Sequence, residues 1–174
     1  MQNTDESELI AQSLHGDTEA YGQLVDRYKN AIYHHCFAIV HDEDAAEDMA
    51  QETFIAAYYQ LKKYDAHYRF STWLFKISTN KCLNYIRSTA KVTTPGDKLI
   101  DALATGEPSP HRSAEMHELR EMVNHLQPKY RAVISLYYWR GLEYADIATA
   151  MNAPLNSVRV WLLRAKDELR KELS

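Results

Sequence analysis

Apolar residues recur at helical spacing through Leu9, Leu14, Tyr21, Leu24, Tyr28, Ile32, Phe37 and Val40, then stop at the acidic run HDEDAAED. That pattern predicts two helices joined by a turn. In the next run, EDAAEDMAQETFIAAYYQL, Asp42 or Asp44 can cap a third helix, and further carboxylates sit in its first turn, where the helix dipole favours them. Ala46, Met49, Ala50, Thr53, Phe54 and Ala57 fall on one face of it. Glu47, Asp48, Gln51, Glu52 and Ile55 then point outward. The stretch KKYDAHYRF breaks the period and reads as a loop, followed by the helix STWLFKISTNKCLNYIRS, with Ser71 or Thr72 near its cap and Leu74, Ile77, Leu83 and Ile86 among its apolar positions.

After Arg87 no sustained period survives, and AKVTTPGDKLIDALATGEPSPHR reads as a linker too short to fold alone. Helical spacing returns from Ser113 through Met116, Leu119, Met122, Val123 and Leu126. Pro128 then opens a helix that Gly141 ends, LEYADIATAM makes another, NAPLNS breaks it, and NSVRVWLLRAK begins the last. The fold class expected is all-α: two small helical domains, residues 1–90 and 113–174, joined by a flexible linker over 91–112. Five glycines and five prolines in 174 residues also leave little room for the tight turns of an all-β fold.

Charge changes the picture. The net value of −4 argues against a polyanionic partner, but the charges are sorted along the chain. Residues 1–61 hold 12 acidic and 2 basic side chains, residues 62–90 hold 1 and 6, and residues 113–174 hold 8 and 9. One surface is therefore acidic and suited to a basic protein, while another is basic and suited to nucleic acid. No apolar run approaches the ~18 residues that cross a bilayer, and the acidic start MQNTDESELI lacks the layout of a signal peptide, so a cytoplasmic location without membrane insertion is expected. Cys36 and Cys82 form no CxxC pair and are expected to be buried, reduced thiols.

The last two predicted helices have the layout of a helix-turn-helix, with Ala148, Asn152 and Val158 where that motif needs a small residue, a turn former and a packing residue. At about 100° per residue, Val158, Leu162, Ala165 and Leu169 share the core side. Arg159, Val160, Leu163, Arg164 and Asp167 share the other. An arginine can read guanine bidentately or hold a phosphate, and Val160 and Leu163 can press on thymine methyls. Trp161, on the flank, is expected to pack.

Enzyme motifs are missing: no GxxxxGK loop, GxSxG elbow or HExxH pair occurs, so no catalytic residue and no cofactor is expected. His34, His35, Cys36 and His41 do not make a metal set, because adjacent histidines on a helix diverge by about 100° and no second cluster completes four ligands. A different class, an autonomous helix-turn-helix regulator using its N-terminal half for dimerisation or sensing, fits the C-terminal pattern as well.

Taken in order, EDAAEDMAQETFIAAY, FSTWLFKISTNKCLNYIR and LQPKYRAVISLYYWRGLEYADIATAMNAPLNSVRVWLLRAKDELR resemble the extracytoplasmic-function group of bacterial RNA polymerase sigma factors over nearly the whole chain. The resemblance implies a −10 domain within about residues 1–90 and a −35 domain within about 113–174, bound to core polymerase at the β′ clamp helices and the β flap. Glu47, Asp48, Gln51 and Glu52 would dock on the clamp helices. Tyr64, Tyr68 and Phe70 would wall or stack on an unpaired −10 base, while Arg69, Lys76, Lys81 and Arg87 hold the backbone and Asn80 and Asn84 meet base edges. At −35 the resemblance assigns Ser157, Arg159, Val160, Leu163, Arg164 and Lys166. It also implies an anti-sigma factor as a partner. The chain departs from the group's pattern at Trp161, where many relatives are basic, and in the uncharged Val160 and Leu163.

Overall fold

The computed structural model describes residues 5–90 and 114–174, and the segment expected to be a linker lies outside them. All regular structure among the described residues is helical: α1 (Glu6–Leu14), α2 (Thr18–Val40), α3 (Glu43–Gln60), α4 (Phe70–Ala90), α5 (Ala114–His125), α6 (Pro128–Ile134), α7 (Tyr144–Met151) and α8 (Leu155–Glu172). A 3-10 turn, Leu61–Lys63, follows α3, and α6 runs on into a π turn, Ser135–Trp139.

Local chemistry sets most boundaries. Asp17 accepts from the backbone of Glu19 and Ala20 to open α2, and Asp42 accepts from Ala45 N at 2.7 Å to open α3. His41 (φ 56°), Gly141 (φ 68°) and Asn152 (φ 48°) take the left-handed conformation that stops α2, the π turn and α7. The start of α4 differs from expectation. It begins at Phe70, and Thr72 is 1% exposed inside the first turn rather than capping it. Burial of Phe70 against Tyr28, Tyr64 and Trp73, with ring centroids 5.3 to 5.8 Å apart, pulls the helix start forward.

Both expected helical units are present, α1–α4 and α5–α8. In addition, they pack on each other, α2 and α4 facing α6, the π turn and α7. The junction is polar at its centre. His35, fully buried, reaches Thr79 Oγ1 of α4 with Nε2 (2.8 Å) and Ser135 Oγ of the π turn with Nδ1 (2.9 Å). Arg131 on α6 donates from Nε to the Ile39 carbonyl at 2.8 Å and from Nη1 to the carbonyls of Asn124 and Leu126, while Asn124 meets His41 Nε2 at 2.8 Å. Arg131 thereby satisfies carbonyls at the end of α2 and at the α5–α6 corner at once, a charge-assisted staple between the units.

Candidate nucleic-acid interface

On α8 the two faces fall where helical geometry demands. Val158, Leu162 and Ala165 are at most 2% exposed, whereas Arg159 and Arg164 are exposed and Val160 and Leu163 are 43% and 59% exposed. Ser157 and Lys166, both half-buried, mark the two edges of this strip. At the Lys166 edge the ammonium lies 5.6 Å from the Tyr138 ring centre, and the Tyr138 hydroxyl holds its pKa above the usual lysine value. Trp161 is half-buried with Lys129 Nζ 5.8 Å from its ring, so it packs. α7 and α8 are joined through left-handed Asn152, with Ala153 N donating to Ala148 O at 3.0 Å. This is helix-turn-helix geometry, with a continuous mixed arginine and apolar strip facing solvent.

The second set gathers at the loop before α4 and along that helix. Tyr64 donates from its hydroxyl to the Tyr68 carbonyl at 2.6 Å, and Asp65 accepts from His67 N at 3.0 Å and lies 2.6 Å from its Nδ1. Those hydrogen bonds lower the Asp65 pKa and close the loop on itself. Tyr68 and Arg69 are presented outward, Tyr68 at 49% exposed. Phe70 is not: at 1% exposed it cannot stack on a base, and it serves as the floor on which Tyr64 and Trp73 rest. Lys76, Asn80, Asn84 and Arg87, spaced by four or three residues, line one side of α4. Within this row Arg87 Nη1 donates to Asn84 Oδ1 at 3.3 Å.

Lys81 is turned the other way, toward α3, and pairs with Glu52 at 3.2 Å. A surface pair of this kind is worth under about 1 kcal/mol, so either partner is readily released to another charge. Glu47, Asp48, Gln51 and Glu52 are all exposed. The acidic face continues into an apolar one: Ile55, expected outward, is 58% exposed, and Tyr59, which the sequence reading did not place, is 81% exposed. The spacing of four from Ile55 to Tyr59 was the available signal. The basic row on α4 and the acidic face on α3 therefore adjoin at the Lys81–Glu52 pair, while the α8 strip belongs to the other unit.

Two family models match the chain, described as Sigma-70 region 2 over residues 24–92 and Sigma-70, region 4 over residues 116–169. Among curated proteins it is 33% identical to the ECF RNA polymerase sigma factor SigW of Bacillus subtilis over 94% of each chain. It is 31% identical to SigM of the same organism, over 85% of this chain and 91% of that one. Among solved structures, that of CnrH in complex with the cytosolic domain of CnrY superposes with a TM-score of 0.69 at 25% identity, over 95% of this chain and 94% of that one. The sigma factor RpoE of Bartonella quintana, in complex with the anti-sigma factor NepR, shares the fold with a TM-score of 0.75 at 20% identity, over 88% and 96% of the two chains.

Proposed function

The chain belongs to the extracytoplasmic-function sigma factors of the sigma-70 family, and on that premise we propose how its surfaces divide the work of transcription initiation. Residues 1–90 bind core RNA polymerase and the −10 element, and residues 113–174 bind the −35 element. The acidic face of α3, with Glu47, Asp48, Gln51 and Glu52, docks on the basic clamp helices of β′, and Ile55 and Tyr59 extend that contact with apolar area. Tyr64 and Tyr68 wall an unpaired −10 base, Arg69, Lys76 and Arg87 hold its strand, and Asn80 and Asn84 meet base edges. Lys81 joins them once Glu52 is taken up by the polymerase. The α8 strip enters the major groove at −35 and the same unit meets the β flap. Bond-making belongs to the core enzyme.

The observation that carries this reading is the α8 strip, exposed on a helix whose opposite side, at Val158, Leu162 and Ala165, is buried in a helix-turn-helix. Geometry adds a condition. The −35 and −10 elements lie about 25 base pairs apart, roughly 85 Å along B-form DNA, whereas a folded chain of this length spans only about 40 Å. The packed units therefore part when both elements are engaged. CnrH and RpoE are each described in complex with a partner, CnrY and the anti-sigma factor NepR, and an anti-sigma factor holding this chain in the cytoplasm follows the same pattern. Among the described residues no helix is long and apolar enough to cross a membrane.

Run-off transcription with purified core polymerase on a promoter library tests the proposal. Promoter-specific transcripts that require this protein are expected. Tight duplex binding without polymerase, and no transcripts with it, would instead indicate an autonomous regulator.

A further inference from the structure

Where the two units meet, a cleft of about 260 Å³ opens between the start of α4 and the corner that follows the π turn. Arg69 and Thr72 line it from the first unit, Arg140 and Asp146 from the second. Arg140 is among the lining residues, and its Nε, buried without a hydrogen-bond partner, is the single such side-chain atom found among the described residues. An unmet buried N–H costs about 1–3 kcal/mol, and more on a charged group, so this guanidinium gains from any acceptor that reaches it. A second guanidinium, exposed Arg69, stands on the opposite unit. Thr72, only 1% exposed, lies in the first turn of the 21-residue helix α4, whose N-terminal N–H groups favour negative charge. The lining residues include one carboxylate, Asp146, against two arginines.

We propose that this cleft binds a compact phosphate-bearing anion, gripped from its two sides by Arg69 and Arg140. Planar guanidinium forks match phosphate oxygens in geometry and charge. The volume lies below the range of about 300–1,000 Å³ usual for drug-sized ligands, which suits inorganic phosphate, pyrophosphate or a nucleoside monophosphate. Tyr28 and Trp139, also on the wall, offer aromatic surface to a base if the phosphate carries one. Because each unit supplies one arginine, the anion is held only while the units are packed. Its binding stabilises the packed arrangement by mass action. Arg69 also belongs to the −10 set, so the anion and the promoter strand compete for it.

Isothermal titration of the full-length protein at fixed ionic strength, with sodium phosphate, pyrophosphate, and adenosine and guanosine 5′-monophosphate in turn, tests the site. Saturable 1:1 binding of at least one probe is expected, tightest for the nucleotides if the aromatic wall is used and equal to phosphate if it is not. Arg140→Gln should weaken that binding about tenfold or more, the loss of one charge-assisted contact. Asp146→Asn should tighten it several-fold, and circular dichroism melts establish that each variant is folded. If Arg140→Gln does not fold, the opposite responses of Asp146→Asn and Arg69→Gln decide the matter. Absence of saturable binding by every probe up to about 10 mM would overturn the proposal. So would affinities that are the same in the original protein and in the folded variants.

Discussion

His35 makes the stability of the packed protein depend on pH in a way that can be isolated. Its ring is fully buried between Thr79 and Ser135, with Phe75 edge-on at 5.3 Å. Burial, reinforced by the nearby Arg140 guanidinium, lowers its pKa from 6.5 to about 3. Above pH 6.5 the imidazole is neutral in both folded and unfolded chains and contributes no slope. Between pH 6.5 and 3 the unfolded chain takes up a proton that the folded chain refuses, so stability falls as pH falls. At pH 5 the loss is about 2 kcal/mol, at ~1.36 kcal/mol per pH unit below 6.5, and it approaches about 5 kcal/mol near pH 3.

The assay is urea unfolding of the original protein and of His35→Gln, which cannot titrate, from pH 7.5 to 5.0. Carboxylates and His41, whose pKa is also lowered by burial, contribute equally to both proteins and cancel in the difference. The variant is less stable at pH 7.5, because Gln cannot satisfy both hydroxyls as the ring does, but it should close on the original by about 2 kcal/mol at pH 5. A difference between the two proteins that stays constant across this range would refute the reasoning, since it would mean that His35 is already accessible to protons.

Three further outcomes follow from the surfaces. Reversing charge at Asp48 and Glu52 should weaken binding to core polymerase in a fluorescence titration while leaving the melting temperature within a few degrees, because both sites are exposed and the Lys81 pair is weak. Asn80→Ala should slow open-complex formation on duplex promoter more than on a template with the −10 bubble already open, as followed by permanganate footprinting; equal losses would mean that Asn80 acts before strand separation. Arg159→Ala or Arg164→Ala should change stability by less than about 0.5 kcal/mol and weaken −35 binding by about 1–3 kcal/mol, while Val158→Ala and Leu162→Ala destabilise by roughly 1–4 kcal/mol; melts and gel shifts on the four variants would expose an inverted face assignment.

The parts legible in the sequence are those where one helix face is uniformly apolar. The six residues assigned to the inner side of α3 are all buried, as are Val158, Leu162 and Ala165 of the four assigned to that of α8, because a 3.6-residue period leaves no other side for them; Leu169, near the helix end, is half-buried. An aspartate cap for α3, narrowed by sequence to Asp42 or Asp44 and found at Asp42, and Gly141 as a stop were equally readable, since few residue types serve those backbone roles. Phe70 was misplaced for the converse reason: an aromatic at a loop–helix boundary has no period to report its side, and the resemblance placed it with Tyr64 and Tyr68.

What the pattern could not carry is the junction between the units. Its central residues, His35, Thr79 and Ser135, are polar and yet buried, so any reading that equates polar with outward assigns them to solvent. Their burial is tolerated because partners converge from three elements, α2, α4 and the π turn, and such convergence depends on positions about 44 and 100 residues apart that no local spacing encodes. Around this polar centre one cluster of buried apolar side chains runs through both units, with Ile32, Leu74 and Phe75 from the first and Val133, Leu136 and Ile147 from the second. Serine, threonine and histidine give up protein hydrogen bonds for water at a small net cost, on the order of 1 kcal/mol each, whereas an interface of leucines would expose its full apolar area on parting. On the proposed reading, in which the two units part to span a promoter, these polar contacts are exchanged for water and the apolar area shared by the units sets the cost of parting.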